Sequence, residues 1–332
     1  MLTESQAGGA GAGGPKVFFR EAIARALGEE MERDERVFLL GQDVAEFGGP
    51  YKETAGLFER FGAARVRNMP VAEGAIVGVA AGAAAAGMRP IACVTYMDLF
   101  TLCLDPLVNY AAKLRYKTGG QLHAPLVLKT TAGAKGQGVA HSQCLEAWLM
   151  NVPGLKVVAP STAADAYGLL KAAIRDDGPV VFIDHKRLFP TTGFLQMQEI
   201  PLGRASLVRH GTAATIVTYS FMTHVVLEAA ARLDQEGIAT EVIDLRTLAP
   251  LDVETVCASV ARTGALLTVE EGQVVCGVGA EIAFRVHERL PQARAARLGA
   301  RRAPISSNPV LEAFCLPSVD RVRDAVKALL SA

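Results

Sequence analysis

The sequence predicts an α/β protein with two domains, each built on an open, mainly parallel β-sheet. The length of 332 residues exceeds what a single core usually serves, so two domains are expected. Strand-length apolar runs alternate with helix-length segments, which places helices on both faces of a parallel sheet. One irregular stretch, residues 189–202, interrupts this alternation near the middle of the chain.

The first domain is predicted over residues 16–190. Short apolar runs without polar alternation indicate buried parallel strands at residues 37–41, 90–96, 125–131, 155–159 and 180–184. Segments with helical spacing lie between them, at residues 17–33, 73–87 and 162–175. Residues 1–15 are rich in Gly and Ala and lack the plan of a secretion signal, so they predict a flexible tail.

The second, smaller α/β domain is predicted over residues 207–332, after a linker at residues 191–206. Pro190, Gly193 and Pro201 interrupt any regular element in this region. The predicted strands that follow are residues 213–219, 239–243 and 264–269, and the predicted helices are residues 222–235, 253–262 and 279–290.

Composition excludes several classes of function. The formal net charge is zero and charged residues make up 20% of the chain, whereas a nucleic-acid partner requires a basic excess. The six cysteines form no CxxC pair, which indicates a reducing, cytoplasmic environment and no zinc site. The most apolar segment, residues 75–87, is too short for a bilayer that needs roughly 20 residues, so no membrane partner is expected.

Two polar residues stand out: Glu73 is placed against apolar neighbours, and His141 lies where an open α/β sheet presents its ligands. Glu73 begins a long apolar helix, so its carboxylate is either a helix-terminal charge, worth up to about 1 kcal/mol, or a tuned acid. His141 follows a loop with Gly133, Gly136 and Gly138 that comes after a predicted strand. For both residues the spacing alone leaves the structural and the functional interpretation open.

Weaker candidates surround these two residues. Tyr96 and Asp98 close a predicted strand, where an aromatic ring either stacks on a flat ligand or packs in the core. Gly277 and Gly279 open a helix, but a lone GxG favours packing over phosphate binding. Four residues at near-helical spacing predict an interface or capping network as readily as a site: Asp105, Asn109, Lys113 and Tyr116.

Motifs in register along residues 16–330 resemble the β subunits of pyruvate, branched-chain and acetoin dehydrogenases. The first domain carries Arg67-Asn-Met-Pro-Val-Ala-Glu73-Gly74, Gly87-Met-Arg-Pro-Ile91, Asp105-Pro-Leu-Val-Asn109, Ala111-Ala-Lys-Leu-Arg-Tyr116, Gly119-Gly-Gln121, His141-Ser-Gln143 and Pro153-Gly-Leu-Lys-Val-Val-Ala-Pro-Ser-Thr162. The second carries Asp244-Leu-Arg-Thr247, Pro250-Leu-Asp252, Glu270-Glu-Gly272 and Gly279-Ala-Glu281. The resemblance implies a transketolase-like fold with a pyrimidine-binding domain and a C-terminal domain.

The resemblance further implies the β subunit of an α2β2 2-oxo acid dehydrogenase. Such an enzyme decarboxylates a pyruvate-like or acetoin-like substrate on thiamine diphosphate and passes the acyl group to lipoamide of an acyltransferase partner. In that family the glutamate matching Glu73 hydrogen-bonds the aminopyrimidine and promotes removal of the thiazolium proton. The aromatic matching Tyr96 stacks on the pyrimidine, and the histidine matching His141 lies near the substrate and the lipoyl group.

The same resemblance implies an α subunit. Family members bind the diphosphate and Mg2+ through a Gly-Asp-Gly stretch followed by paired asparagines, and this chain has no such stretch. A diphosphate needs a cation with its own ligands, so this chain is expected to hold only the pyrimidine end. A monovalent-cation site for K+ is implied near Ala173, Asp176 and Gly178.

Departures from the family pattern lie at the implied cofactor wall. Gln42 replaces one residue of an acidic pair, Cys93 stands where a glutamate is usual, and Leu99 stands where an aromatic is common. The loop at residues 129–140 carries Lys129 and Lys135, which favour an anionic donor.

Those two lysines keep an alternative open: transketolase-like transfer of a two-carbon ketol unit from a ketose phosphate. Another alternative is a catalytically silent scaffold subunit that docks onto an acyltransferase core, although Glu73 and His141 together argue against it. A generic nucleotide-binding module is excluded because the sequence has no phosphate loop.

Overall fold

The protein is described by a computed structural model over residues 14–331. The predicted tail therefore lies, for residues 1–13, outside the described residues. From residue 16 onward strands and helices alternate, as the apolar pattern predicts.

From residue 14 onward, the described residues of the first part form eight strands and six α-helices. In chain order they are β1 Lys16–Phe18, α1 Phe19–Arg33, β2 Val37–Gly41, α2 Leu57–Arg65, β3 Val66–Asn68, α3 Glu73–Ala85, β4 Arg89–Val94, α4 Ala112–Lys117, β5 Val127–Ala132, α5 Glu146–Met150, β6 Lys156–Val158, α6 Ala163–Arg175, β7 Val180–His185 and β8 Thr192–Phe194. A 3-10 segment, Met97–Cys103, and a π-helical segment, Asp105–Ala111, lie between β4 and α4.

The second part adds six strands and five helices. These are β9 Ser206–Arg209, β10 Ala214–Thr218, α7 Met222–Gln235, β11 Thr240–Asp244, β12 Thr247–Ala249, α8 Val253–Thr263, β13 Ala265–Gln273, α9 Val278–Arg289, β14 Arg294–Ala300, α10 Pro309–Cys315 and α11 Val319–Ser331. All of these strands except β12 form a five-stranded sheet in the order β14-β13-β10-β11-β9, in which β9 is antiparallel to its neighbour.

The larger sheet has seven strands in the order β12-β6-β7-β5-β4-β2-β3. Its strands are parallel except β12, which comes from the second part of the chain and pairs antiparallel with β6. Successive side chains point to opposite faces, so Val37 and Leu39 pack into one core while Phe38 and Leu40 pack into the other. Burial on both faces explains why the predicted strands are continuous apolar runs.

Most predicted elements match the observed ones within two residues, and strand 37–41 and helix 222–235 match at both ends. The segment from Asp105 to Tyr116, which has near-helical spacing, begins as π-helix and continues as the α-helix α4. The predicted linker contains β8, which pairs antiparallel with β1. The domain limits themselves stay a prediction.

Two further observations concern the whole described chain. All six cysteines are free thiols. Between residues 14 and 331, none of the helices combines the length and the apolarity needed to cross a membrane.

Candidate active site

The site is organised by the carboxyl ends of four neighbouring strands, β2, β4, β5 and β7. In a parallel sheet these ends meet at one edge, so the segments that follow them gather there. Tyr96 follows β4, His141 lies in the loop after β5, and Lys186 follows β7. The Tyr96 and His141 rings meet edge to face, with centroids 4.3 Å apart and planes at 87°. The Lys186 ammonium lies 5.1 Å from the centroid of the Tyr96 ring.

Glu73 is the first residue of α3 and is 4% exposed. Among residues 14–331 its carboxylate has no hydrogen-bond or salt-bridge partner. Gly74 packs under the 3-10 segment, since an added Cβ would lie 2.9 Å from the Leu102 carbonyl oxygen. Burial, with a contribution from Glu73, raises the pKa of the nearby Cys103 thiol to about 12. A buried carboxylate without a partner costs free energy, which is typical of a group kept for a ligand.

The 3-10 segment links the two parts of the candidate site. It begins one residue after Tyr96 and passes close to Glu73 at its carboxyl end. Leu99 lies in this segment, half-buried against the core, and Gln42 lies half-buried just after β2. Within residues 14–331, no hydrogen bond, ion pair or ring contact joins Glu73 to the Tyr96–His141 pair.

An aromatic wall adjoins the Tyr96–His141 pair. The Tyr51 ring stacks on Phe189, with centroids 4.3 Å apart and planes 9° from parallel. Burial raises the pKa of Tyr51, and the neighbouring Tyr96 raises it further. Phe189 is buried, so the half-buried, neutral Tyr51 ring is the flat surface of this wall that suits contact with an aromatic ligand.

A buried ionic cluster lies beneath this wall, beside Cys93. The Lys129 ammonium lies 2.5 Å from an Asp184 carboxylate oxygen and 3.6 Å from Glu53. Burial raises the pKa of Cys93 to about 12 although Lys129 lowers it, so the thiol is neutral. Burial opposes ionisation of Lys129, but Asp184 and Glu53 together raise its pKa, so the lysine is charged.

This cluster corrects the interpretation of Lys129 as an entrance residue. Lys129 is a strand residue of β5 that is 3% exposed and compensated by two carboxylates. The sequence does not reveal this, because Glu53 and Asp184 are distant from it along the chain. Lys135 is exposed, as the loop prediction requires.

At the implied monovalent-cation segment, the chain's own cations bind the oxygen atoms of Asp176. Arg89 donates to the Asp176 carbonyl at 3.0 Å, and Lys156 forms a salt bridge with its carboxylate. The other carboxylate oxygen accepts the Gly178 N–H at 2.8 Å. Ala173 is buried in α6. The Asp176 carboxylate is therefore already occupied, whereas its carbonyl oxygen keeps a second lone pair, and the site stays a prediction.

Two other sequence candidates have structural roles. At the GxG, the backbone N–H groups of Val278 and Gly279 donate to Glu270 at 2.9 Å, so this helix N-terminus already binds a carboxylate of the same chain. The residues at near-helical spacing form a hydrogen-bonded row on the surface. The Asn109 amide donates to Asp105 and accepts from Lys113, each at 2.8 Å. Both observations favour the packing and capping interpretations.

Two buried polar residues of this region are not among the candidates predicted from the sequence. Lys186 is fully buried beside Tyr96 and His141, and Glu146 is buried near Glu270 and Glu271. A signal existed for Lys186, because the charged run at residues 185–187 directly ends an apolar strand where ligands usually bind. No comparable signal marks Glu146, whose neighbours come from the far end of the chain.

Comparisons with known proteins agree with this geometry. Residues 16–192 match the transketolase pyrimidine binding domain, and residues 203–322 match the transketolase C-terminal domain. A solved chain titled "Split gene transketolase, inactive beta4 tetramer" is 25% identical and superposes with a TM-score of 0.80, covering 95% of this chain and 99% of that chain. The fold and the site thus define a transketolase-like protein.

Relatives of similar sequence identify the family within the transketolase-like proteins. The pyruvate dehydrogenase E1 component subunit beta of Rhizobium meliloti is 43% identical, over 93% of this chain and 69% of the relative. The mitochondrial counterpart of Rattus norvegicus is 41% identical, over 94% of this chain and 90% of the relative. The 2-oxoisovalerate dehydrogenase subunit beta of Bacillus subtilis is 40% identical, over 93% and 97%. The chain belongs to the family of 2-oxo acid dehydrogenase E1 β subunits.

Proposed function

We propose that the chain is the β subunit of a thiamine-diphosphate-dependent 2-oxo acid dehydrogenase. The observation that carries this proposal is Glu73, a buried carboxylate without a partner among the described residues. It lies within the 16–192 match to a pyrimidine-binding domain. A carboxylate in such a pocket can share a proton with a ring nitrogen of an aminopyrimidine.

The residues at the edge of the sheet fit the remaining tasks. Thiamine diphosphate, when bound, supplies the carbon nucleophile that attacks a 2-oxo carbon. Tyr96 and the half-buried Gln42, Cys93 and Leu99 would border the pyrimidine, and Tyr96 offers a flat face. His141 would donate a hydrogen bond to the substrate or to the lipoyl group during acyl transfer.

The chain is proposed to work only with partners. An α subunit would bind the diphosphate and Mg2+, because no Gly-Asp-Gly stretch occurs in this sequence. We propose an α2β2 assembly that passes the acyl group to a lipoylated dihydrolipoyl acyltransferase. The six free cysteines fit a cytoplasmic location for this enzyme. A bound K+ near Asp176 is retained as a prediction.

Ketol transfer from a ketose phosphate has less support. This alternative depends on two lysines at the entrance to the site that would attract a phosphorylated donor. One of them, Lys129, is instead buried and paired with Asp184 and Glu53. Only Lys135 remains exposed. The donor is therefore proposed to be a 2-oxo acid.

The test uses the chain reconstituted with its α subunit. Glu73→Gln should lower CO2 release from pyruvate or a branched 2-oxo acid by at least about 100-fold, because the carboxylate acts on the cofactor. Glu59→Gln is the matched control, since Glu59 is an exposed acid in the first turn of α2. It should leave the rate of CO2 release within about twofold, because Glu59 is a surface charge at a helix terminus. Such a charge affects stability by at most about 1 kcal/mol.

Three outcomes would contradict the proposal. The scaffold alternative gains if Glu73→Gln retains turnover within about tenfold of the wild type. Full activity of the single chain without an α subunit would remove the partner requirement. Two-carbon transfer from a ketose phosphate without CO2 release would identify ketol transfer instead.

A further inference from the structure

The loop that carries His141 is closed by one buried lysine. Lys186 is fully buried, and its ammonium donates to the carbonyl oxygen of Gly133 at 2.8 Å and to that of His141. These two carbonyls lie at opposite ends of the loop, residues 133–141. The same ammonium lies over the face of Tyr96, which contacts the His141 ring. Its hydrogen bonds are thus directed to the backbone of the loop.

The residue before Lys186 supports the loop from the C-terminal half of the chain. The Nδ1 atom of His185 accepts the Arg187 backbone N–H at 3.1 Å, so Nε2 carries the proton. Nε2 then donates to Glu271 at 2.9 Å, and Glu271 accepts the Ala134 N–H at 2.7 Å. Burial opposes ionisation of Glu271, but His185 and the Ala134 N–H lower its pKa below the usual value.

The residue after Lys186 supports the middle of the loop. Arg187 donates to the Ala134 carbonyl at 2.9 Å and forms a 2.9 Å ion pair with Glu312 in α10. The other oxygen of Glu312 accepts the Gly136 N–H at 2.6 Å. The last residue of β7 and the two residues after it therefore bind the loop directly or through a carboxylate of the C-terminal half.

We propose that Lys186 is a positioning residue for His141, and that Glu271 and Glu312 let the C-terminal half hold the His141 loop in place. Lys186 acts through the loop backbone and through Tyr96, and it does not contact the substrate. The inference rests on the proposed function only for its kinetic consequence, since the contacts of the loop are independent of the reaction.

The first test measures the loop itself in the reconstituted α/β complex. Lys186→Met removes both carbonyl contacts, so amide hydrogen exchange in residues 133–143 should become at least about tenfold faster, with β5 and β7 still protected. Lys327→Met is the control, because Lys327 forms an ion pair with Glu236 on the surface of α11. Unchanged exchange in the loop of Lys186→Met would overturn the proposal, whether or not the complex decarboxylates anything.

Kinetics distinguish positioning from a general loss of structure. Lys186→Met should lower kcat about 10- to 100-fold with little change in KM for the 2-oxo acid. Combined with His141→Ala, it should cause little further loss, because both changes remove the same contribution. Additive losses would overturn the role of Lys186.

If Lys186→Met also speeds amide hydrogen exchange in β5 and β7, two milder variants test whether the His141 loop is held in place by these contacts. Glu312→Ala and Arg187→Met act on the outer side of the loop, where the Arg187 side chain is 38% exposed. Each should speed exchange in residues 134–138 and leave both strands protected. Wild-type exchange in both variants would overturn the proposal.

Discussion

At the scale of single residues, the buried cluster of Lys129, Asp184 and Glu53 shows how a strand can contain a charged side chain. Lys129 pairs with Cys93 across the parallel ladder, and Asp184 lies on the next strand. Burial raises the pKa of Asp184 to about 6, against the attraction of Lys129. The cluster is held together by mutual compensation, so removing one member exposes the desolvation cost of the others.

Lys129→Met is therefore expected to destabilise the protein by about 3–5 kcal/mol, because it leaves two buried carboxylates without a cation. The measurement is the free energy of unfolding from urea denaturation at pH 7. Adding Asp184→Asn should recover a large part of that loss, since one carboxylate is then neutral. Lys171→Met is the control at a partly exposed ion pair with Glu29. A loss below about 1 kcal/mol for Lys129→Met would mean that water enters the cluster.

The candidate site was predictable from the sequence where a residue's neighbours along the chain reveal its setting. Glu73 begins an apolar helix and His141 follows a glycine-rich loop, so both stood out. Lys129 was misread because its compensating carboxylates are far away in sequence. The charged run at the end of an apolar strand marks Lys186, but its role is not evident from the sequence because its partners are backbone carbonyl groups.

At the scale of elements, the glycines of the His141 loop differ in what they permit. Gly133 has φ +90° and Gly136 has φ +74°, so both occupy the left-handed region. A Cβ added at Gly133 would lie 1.8 Å from Nε2 of His185, whereas a Cβ at Gly136 would meet no heavy atom within 4 Å. Of these two glycines, only Gly133 is required both by its backbone conformation and by close packing.

Gly133→Ala should destabilise the protein by clearly more than Gly136→Ala. Both substitutions cost about 1 kcal/mol for the left-handed conformation. Gly133→Ala additionally displaces His185 from Glu271 and so frees the Ala134 N–H. Thermal unfolding of the two variants checks this difference, and hydrogen exchange at Ala134 shows whether the contact is lost. Equal stabilities would mean that the His185 ring moves aside without cost.

The regular elements were predictable because burial on both faces of a parallel sheet leaves long apolar runs in the sequence. Several short elements were not. Strands β3, β8 and β12 have three residues each and gain their order from the neighbouring strand. The 3-10 and π segments between residues 97 and 111 depart from the α-helical period, so the spacing pattern cannot identify them.

At the scale of the whole molecule, the two halves of the chain share one core and one sheet. One hydrophobic cluster includes Leu40 and Val94 of the larger sheet together with Val217 and Ile243 of the smaller one. Strand β12 extends the larger sheet from the second half. Arg246 lies just before it and forms a 2.7 Å ion pair with Asp165 of α6. Long-range pairing of this kind was absent from the sequence prediction, which placed the boundary by the break in periodicity alone.

Three buried acids meet between the two halves. Burial raises the pKa of Glu146 to about 8, and the nearby carboxylates of Glu270 and Glu271 add to the effect. Glu270 accepts two backbone N–H groups and Glu271 accepts from His185, so those two have partners for their charge. Glu146 is therefore the acid that keeps its proton at neutral pH.

The pH dependence of stability follows from this assignment. Because the pKa of Glu146 is raised on folding from 4.5 to about 8, its favourable contribution is fully present below pH 4.5 and is lost as pH rises through 8. Glu146→Gln cannot ionise, so its stability relative to the wild type should increase between pH 5 and pH 8. The gain is at most about 1.4 kcal/mol for each pH unit in that window.

Urea denaturation of Glu146→Gln and the wild type at pH 5, 6.5 and 8 measures this effect. The difference between their unfolding free energies should be small at pH 5 and should reach about 1–4 kcal/mol in favour of the variant at pH 8. Glu254→Gln is the control, because the Glu254 side chain is 80% exposed. The difference in unfolding free energy between this variant and the wild type should therefore stay nearly constant over the three pH values. A Glu146 variant that is destabilised equally at all three pH values would show that Glu146 is ionised in the folded protein.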